Sequence, residues 1–137
     1  MATPLKEWVR DVWIPFQKLP PVEQAHARFF RDPPRAQQID RSFFFSPADG
    51  IILYQKVVAK DDGAIIEVKG RNFTLHDLLQ KDLEQPALVI GVFMTAADVH
   101  VNRVPMDGIL RYERVEHIYT RNLPMLWVEE MLTEQQK

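Results

Sequence analysis

The sequence predicts a mainly β protein of the α+β class: a β-rich body behind a helical N-terminal arm, closed by a C-terminal helix. Three observations carry that expectation. From Ser42 onward, short runs of aromatic and β-branched residues are separated by turn signals, the pattern of strands joined by tight connections. Pro47-Ala48-Asp49-Gly50-Ile51 is echoed by Pro105-Met106-Asp107-Gly108-Ile109, each between two strand candidates, which suggests two related β-units packed with pseudo-symmetry. Before Arg41, apolar residues recur at helical spacing while Pro15, Pro20, Pro21, Pro33 and Pro34 interrupt regular structure. The expected division is an arm over 1–41 and a β-rich domain over 42–137.

In the arm, Thr3 and Pro4 suit the N-cap and the first helical position. Leu5, Trp8, Val9, Val12, Trp13 and Phe16 then form one apolar stripe, with Lys6, Glu7, Arg10 and Asp11 opposite. Pro15 is expected to end or kink this helix near Trp13. The stripe suits either the protein's own core, the favoured reading, or a membrane interface. A second short helix is expected over 22–30.

In the body, strands are expected at 42–45 and 51–59. Lys60-Asp61-Asp62-Gly63 would turn the latter into a hairpin with 64–69. Thr74 and Asp77 have capping-box spacing and open a helix over 75–81. A buried strand is expected at 87–94, further strands at 99–104 and 109–117, and a helix at 125–132.

Composition excludes several function classes. Seventeen basic residues against 19 acidic ones give a net charge of −2, without the basic excess of a dedicated nucleic-acid binder. No cysteine means no disulfide framework, no thiolate zinc site and no cysteine nucleophile. The N-terminus lacks the apolar run of a signal peptide, and 87–94 is far shorter than a membrane-spanning helix. A cytoplasmic protein, soluble or peripherally attached to a membrane, is the expectation.

Four histidines are available: His26, His76, His100 and His117. His100 stands in Asp98-Val99-His100-Val101-Asn102-Arg103, where a strand would place Asp98, His100 and Asn102 on one face. That set reads either as a hydrogen-bonded histidine at a strand end or as catalytic machinery. Two potential ligands do not make a metal site, so no metal is expected. Neither Ser42 nor Ser46 lies in a Gly-x-Ser-x-Gly elbow, and no glycine-rich phosphate loop exists. Asp49 is either a turn residue or the carboxylate that orients an imidazole.

Together, Ser46-Pro47-Ala48-Asp49-Gly50, Ile66-Glu67-Val68-Lys69-Gly70 followed by Phe73-Thr74-Leu75 and Leu78-Leu79, Val92-Phe93-Met94-Thr95, Asp98-Val99-His100-Val101-Asn102-Arg103-Val104-Pro105, and Asp107-Gly108 resemble the phosphatidylserine decarboxylases in order and spacing. Phe29-Phe30-Arg31-Asp32-Pro33 is similar to the family's lead-in, and the resemblance covers about residues 28–123. It implies a barrel-sandwich-like β body and a proenzyme that cuts itself before a serine in a Gly-Ser-type motif. That serine becomes a pyruvoyl group, which forms a Schiff base with the amine of phosphatidylserine and accepts the electrons released as CO₂ leaves.

The resemblance implies that Asp49 orients a histidine base, and that His100 assists self-cleavage or protonates the product carbon. It also implies substrate binding by Asn102, Arg103 and Phe93. Arg103 stands where another branch of the family has a second histidine. The expected partners are a phospholipid or membrane surface, a separate C-terminal segment or a second copy of the chain, and no nucleic acid. No Gly-Ser dipeptide occurs in the 137 residues. The chain as given is therefore expected not to form its own pyruvoyl group. It reads as the N-terminal part of a longer proenzyme, or as a non-catalytic lipid-binding, protein-binding or regulatory β module derived from the family.

Overall fold

The computed structural model describes residues 3–34, 40–59, 65–68, 71–117 and 125–134. They form an α+β arrangement in which helices pack beside two small antiparallel sheets.

Helix α1 (Leu5–Trp8) runs into a π-helical stretch (Val9–Trp13) and continues as α2 (Ile14–Gln17). Pro4 takes the N-cap position, one residue later than expected from Thr3, and its carbonyl accepts from the Glu7 and Trp8 amides at 3.0 and 3.1 Å. Pro15 does not end the helix. Its ring would collide with the carbonyl four residues back in an α-helix, and the wider π turn just before it relieves that clash. Helix α3 (Pro21–Glu23) and a second π-helical stretch (Gln24–Phe29) follow, one residue earlier at each end than the expected 22–30. The Gln24 side-chain amide donates to the Phe16 and Leu19 carbonyls, closing the end of α2.

The arm's aromatic stripe faces the protein itself. Val9, Trp13 and Phe16 are buried with Ala97, and Leu5, Trp8, Val12 and Ala96 pack around them. Trp13 stacks between Trp8 and Phe16, with ring centroids 6.1 and 5.4 Å away. Burying these side chains removes roughly 1.5–3 kcal/mol of unfavourable hydration each, which exceeds what an exposed stripe could gain in water. The tryptophans therefore serve the core, and Trp13 is closed to a membrane interface.

Strand β1 (Ile51–Val58) pairs antiparallel with β4 (Ala87–Phe93), from Ile51 opposite Phe93 to Val58 opposite Ala87. Strand β2 (Ile65–Val68) pairs with β3 (Arg71–Thr74). This corrects the expected 51–59/64–69 hairpin: the long-range partner takes β1, and β2 folds onto the chain that follows it. The turn proposed at 60–63 lies outside the described residues. Strand β4 is not the buried strand expected: none of its residues is fully buried, and Leu88 and Ile90 alternate to the exposed side.

Leu53 is the extra residue of a bulge between Ile52 and Tyr54, which swings the Tyr54 ring over Gly91. The Thr74 capping box forms as its spacing predicts. Its hydroxyl accepts from the Asp77 amide at 3.0 Å, and the Asp77 carboxylate accepts from the Thr74 amide at 2.7 Å. Helix α4 (Leu75–Leu79) stops before Lys81 because Gln80 turns left-handed, with φ of 53°.

Residues 42–45, 99–104 and 109–117 are not strands. Their backbone groups find other partners. Phe45 N–H donates to Pro105 O at 3.0 Å and Arg103 N–H to Pro47 O at 2.7 Å, so the lead-ins to the two Pro-x-Asp-Gly motifs run alongside each other. The Gln80 side chain exchanges two hydrogen bonds with the Glu116 backbone, at 3.0 and 2.9 Å, holding the end of the 109–117 segment. Helix α5 (Met125–Glu134) closes the chain near its expected range.

Gly50 marks where β1 begins. A Cβ there would lie 2.4 Å from the Phe93 carbonyl oxygen, which is backbone and cannot rotate away. Gly50→Ala should therefore cost about 1–3 kcal/mol of folding free energy in urea titration. Gly108→Ala, in the second motif, has open space around its Cβ and should be close to neutral. Equal effects at the two glycines would contradict this account.

Candidate functional site

The site is built on the turn that follows β4. Asp98 is buried and accepts from the Thr95 amide at 2.9 Å and the Thr95 hydroxyl at 2.7 Å. The Thr95 hydroxyl oxygen accepts from the Ala97 amide at 3.2 Å, and the Asp98 amide donates to the Thr95 carbonyl at 3.0 Å. A short polar residue at each end thus closes the turn without help from a sheet. Ala97, with no side chain beyond Cβ, lets the aromatic stripe of the arm settle directly on it.

His100 leaves this turn half-buried. Its Nδ1 lies 3.1 Å from the Asp98 carbonyl oxygen. A carbonyl can only accept, so Nδ1 carries the proton and Nε2 holds the lone pair of the neutral ring. The imidazole stacks on Phe29, with ring centroids 3.9 Å apart and planes 28° from parallel. The second π-helical stretch supplies that ring, so the arm fixes the plane of the imidazole while the turn fixes its tautomer.

Two buried carboxyls lie within electrostatic reach of the ring. Burial pushes Asp98 above the usual carboxylate range. The Thr95 hydrogen bonds oppose the rise, the negative charge of Asp49 adds to it, and His100 opposes it. Burial likewise raises Glu129 of α5. The Ala96 amide, which donates to Glu129 Oε1 at 2.6 Å, opposes the rise, as does His100, while Asp98 adds to it.

The expected site residues are distributed unevenly around this centre. Asp49 is half-buried at the start of β1, and its charge is felt at Asp98. Phe93 is half-buried at the end of β4, with its carbonyl against Gly50. Asn102 is exposed, and the expected common face of Asp98, His100 and Asn102 does not form, because the segment is not a strand. The Arg103 guanidinium is bound by Asp32 of the arm. The contact ties the arm to the His100 segment.

Phe29, Thr95 and Glu129 complete the site. Phe29 and Thr95 lie in quoted motifs, but nothing local marks Glu129, whose role is set by a contact across 33 residues of sequence.

The family model for phosphatidylserine decarboxylase matches residues 22–133. The chain belongs to the phosphatidylserine decarboxylase family. A phosphatidylserine decarboxylase proenzyme from Novosphingobium aromaticivorans is 39% identical over 89 residues, covering 61% of this chain and 30% of the relative. One from Neorickettsia sennetsu is 36% identical over 95 residues, covering 69% of this chain and 34% of the relative. A putative archaetidylserine decarboxylase proenzyme from Methanopyrus kandleri is 40% identical over 82 residues, 60% of this chain and 32% of the relative. The chain spans about a third of the length of these relatives. No solved structure matches. Among the described residues, no helix is long and apolar enough to cross a membrane.

The raised carboxyls give stability a defined sign of pH dependence. A carboxyl whose folded pKa exceeds its unfolded value contributes fully below the unfolded pKa, near 4, and that contribution is lost as pH rises through the folded value. Asp77 and Glu113, held low by a cap and an ion pair, act oppositely and at lower pH. Thr95→Val removes the hydroxyl that donates to Asp98. It should cost about 1–3 kcal/mol in urea unfolding. The cost should be larger near pH 8 than near pH 5, because the ionised carboxylate loses more than the neutral acid. A cost independent of pH would contradict the assignment of Asp98 as a buried, upward-shifted acid.

Proposed function

We propose that this chain is the part of a phosphatidylserine-decarboxylating proenzyme that supplies Asp49 and His100, the product of the whole protein being phosphatidylethanolamine. The observation that carries the reading is the meeting of two motifs. Ser-Pro-Ala-Asp-Gly and Asp-Val-His-Val-Asn-Arg lie far apart in sequence, yet their backbones hydrogen-bond through Arg103 and Pro47, and the Asp49 charge reaches Asp98, whose carbonyl holds His100. The barrel-sandwich body and the pseudo-symmetry of the two Pro-x-Asp-Gly units belong to the same proposal. The side-by-side lead-ins support it.

The family's pyruvoyl group supplies an electron sink for the bond to the departing carboxyl carbon. It brings no proton donor of its own, and the donor set here fits that need. His100 has Nδ1 anchored on a carbonyl, so proton exchange is confined to Nε2. That atom takes up a proton when a serine hydroxyl is activated and delivers one to the decarboxylated carbon. Phe29 keeps the imidazole from rotating between these tasks, and the buried Asp98 and Glu129 lie within electrostatic reach of it. Asp49 orients and charges the same region from the β1 side. Phe93 and Asn102 complete the substrate surface, and Arg103 acts there through its tie to Asp32.

A lipid-embedded serine phospholipid places the reaction at a membrane surface, so peripheral attachment of a cytoplasmic protein is part of the proposal. The remaining partner is the segment that bears the pyruvoyl group, on this polypeptide or another.

Purification of the native gene product, followed by intact mass measurement and a CO₂-release assay on phosphatidylserine vesicles, tests the reading. The expected result is a cleaved protein with a carbonyl-reactive N-terminus and measurable turnover. His100→Gln should slow turnover about 10²–10⁴-fold, the usual worth of a positioned proton carrier. An uncleaved mass with no CO₂ release would overturn the proposal in favour of a non-catalytic lipid- or protein-binding module.

A further inference from the structure

Glu129 is fully buried, yet it is an acid on a helix face whose next buried member, Thr133, is also polar. The Thr133 hydroxyl donates to the Glu129 carbonyl at 2.8 Å within the helix, and both residues are buried, so this face of α5 is turned away from water. Glu129 Oε1 accepts from the Ala96 amide at 2.6 Å, and Oε2 is buried with no hydrogen-bond partner among the described residues. A buried carboxyl oxygen without a partner carries a desolvation cost that one hydrogen bond does not offset. A glutamine would accept the same Ala96 hydrogen bond and leave an unpaired amide NH₂ in place of Oε2, so the clamp alone does not account for an acid. What the acid adds is charge, and the charges it meets are those of Asp98 and His100 on the packed turn. Glu130 and Glu134 of its own helix are exposed.

We propose that Glu129 is a positioning residue for His100. From α5 it clamps the Ala96–Asp98 turn whose carbonyl orients the imidazole, and it shares an electrostatic field with that ring and with Asp98. Helix α5 thereby becomes a third support of the site, beside the arm that supplies Phe29 and the turn that supplies the Asp98 carbonyl. The inference rests on the assignment of His100 as the working imidazole, but its test needs no turnover.

The test is NMR on the 137-residue chain. Stacking on Phe29 shifts the His100 ring protons and gives ring-to-ring NOEs. Glu129→Gln keeps the acceptor for Ala96 and should preserve both signals. Glu129→Ala loses the clamp and should lose more than half of the ring-current shift while the β1–β4 NOEs persist. Preserved stacking in a folded Glu129→Ala protein would overturn the positioning role, whatever its stability.

Should Glu129→Ala fail to fold, the Glu129 carboxyl titration still decides. His100→Gln should move the Glu129 midpoint upward and Asp98→Asn should move it downward, since they remove an opposite and a like charge respectively. Glu129 midpoints unchanged in both variants would overturn the shared field. A chain that passes these tests but belongs to a protein without decarboxylase activity would sink the proposed function and leave this inference standing.

Discussion

The structure around the site depends on the hydrogen bonds between Thr95 and Asp98. They close a turn of four residues that has no sheet to support it, and both the arm and α5 pack on that turn. The arm's stripe packs on Ala97, α5 reaches Ala96 through Glu129, and His100 takes its tautomer from the Asp98 carbonyl. A turn held by one carboxylate accepting two donors is compact enough to be gripped from both sides. It is also costly, because the carboxylate is buried. The cost is visible in the upward shift of Asp98 despite two direct hydrogen bonds. Burial, not the neighbouring charges, is the larger influence on that shift.

The arm therefore has a function that its composition conceals. Its tryptophans suit either a membrane surface or a core, and their spacing alone does not separate the two. The deciding fact is the small residue on the other side. Ala97 offers a flat seat for Trp13 and Phe16, and the stacked rings fill it. The next helix then delivers Phe29 to the imidazole and Asp32 to Arg103. The exposed Asp32–Arg103 pair contributes little energy by itself, since salt and side-chain entropy offset most of its attraction. Its value is geometric, joining the arm to the segment that carries His100. It also gives Arg103, which stands where a second histidine occurs in another branch, a task other than proton transfer.

Much of this was legible in the sequence where the physics is local. The Thr74–Asp77 cap formed as its spacing demanded, the core positions of the arm followed from helical periodicity, and β1, β4 and α5 lie close to their expected ranges. The failures share a cause. The hairpin of β1 with β2 was inferred from an intervening turn signal, but strand partners are chosen by side-chain fit over long separations, and the Tyr54–Gly91 contact is such a fit. Residues 99–104 read as a strand because they alternate, yet a side chain that must accept two hydrogen bonds at Asp98 and a ring that must stack at His100 pull the backbone out of the pleat. At Pro15, expected to end or kink the helix, the chain continues as α2 because a π turn precedes it, which the local rules for an α-helix do not supply.

Glu129 shows the limit most clearly, because no property of the 125–134 sequence separates it from its exposed neighbour Glu130. Both sit on one helix, adjacent, with the same side chain. One is fully buried against the turn and the other faces solvent, a difference of 100° in helical phase. Hydropathy would place an apolar residue at the buried position. That an acid stands there means that packing alone did not select it, and the nearby charges of Asp98 and His100 are what an acid can sense and a leucine cannot. Local patterns predict a fold best where each residue does what its neighbours in sequence ask. A residue that answers instead to a ring and a carboxyl some 30 positions away is where prediction from pattern should fail and where function should be sought.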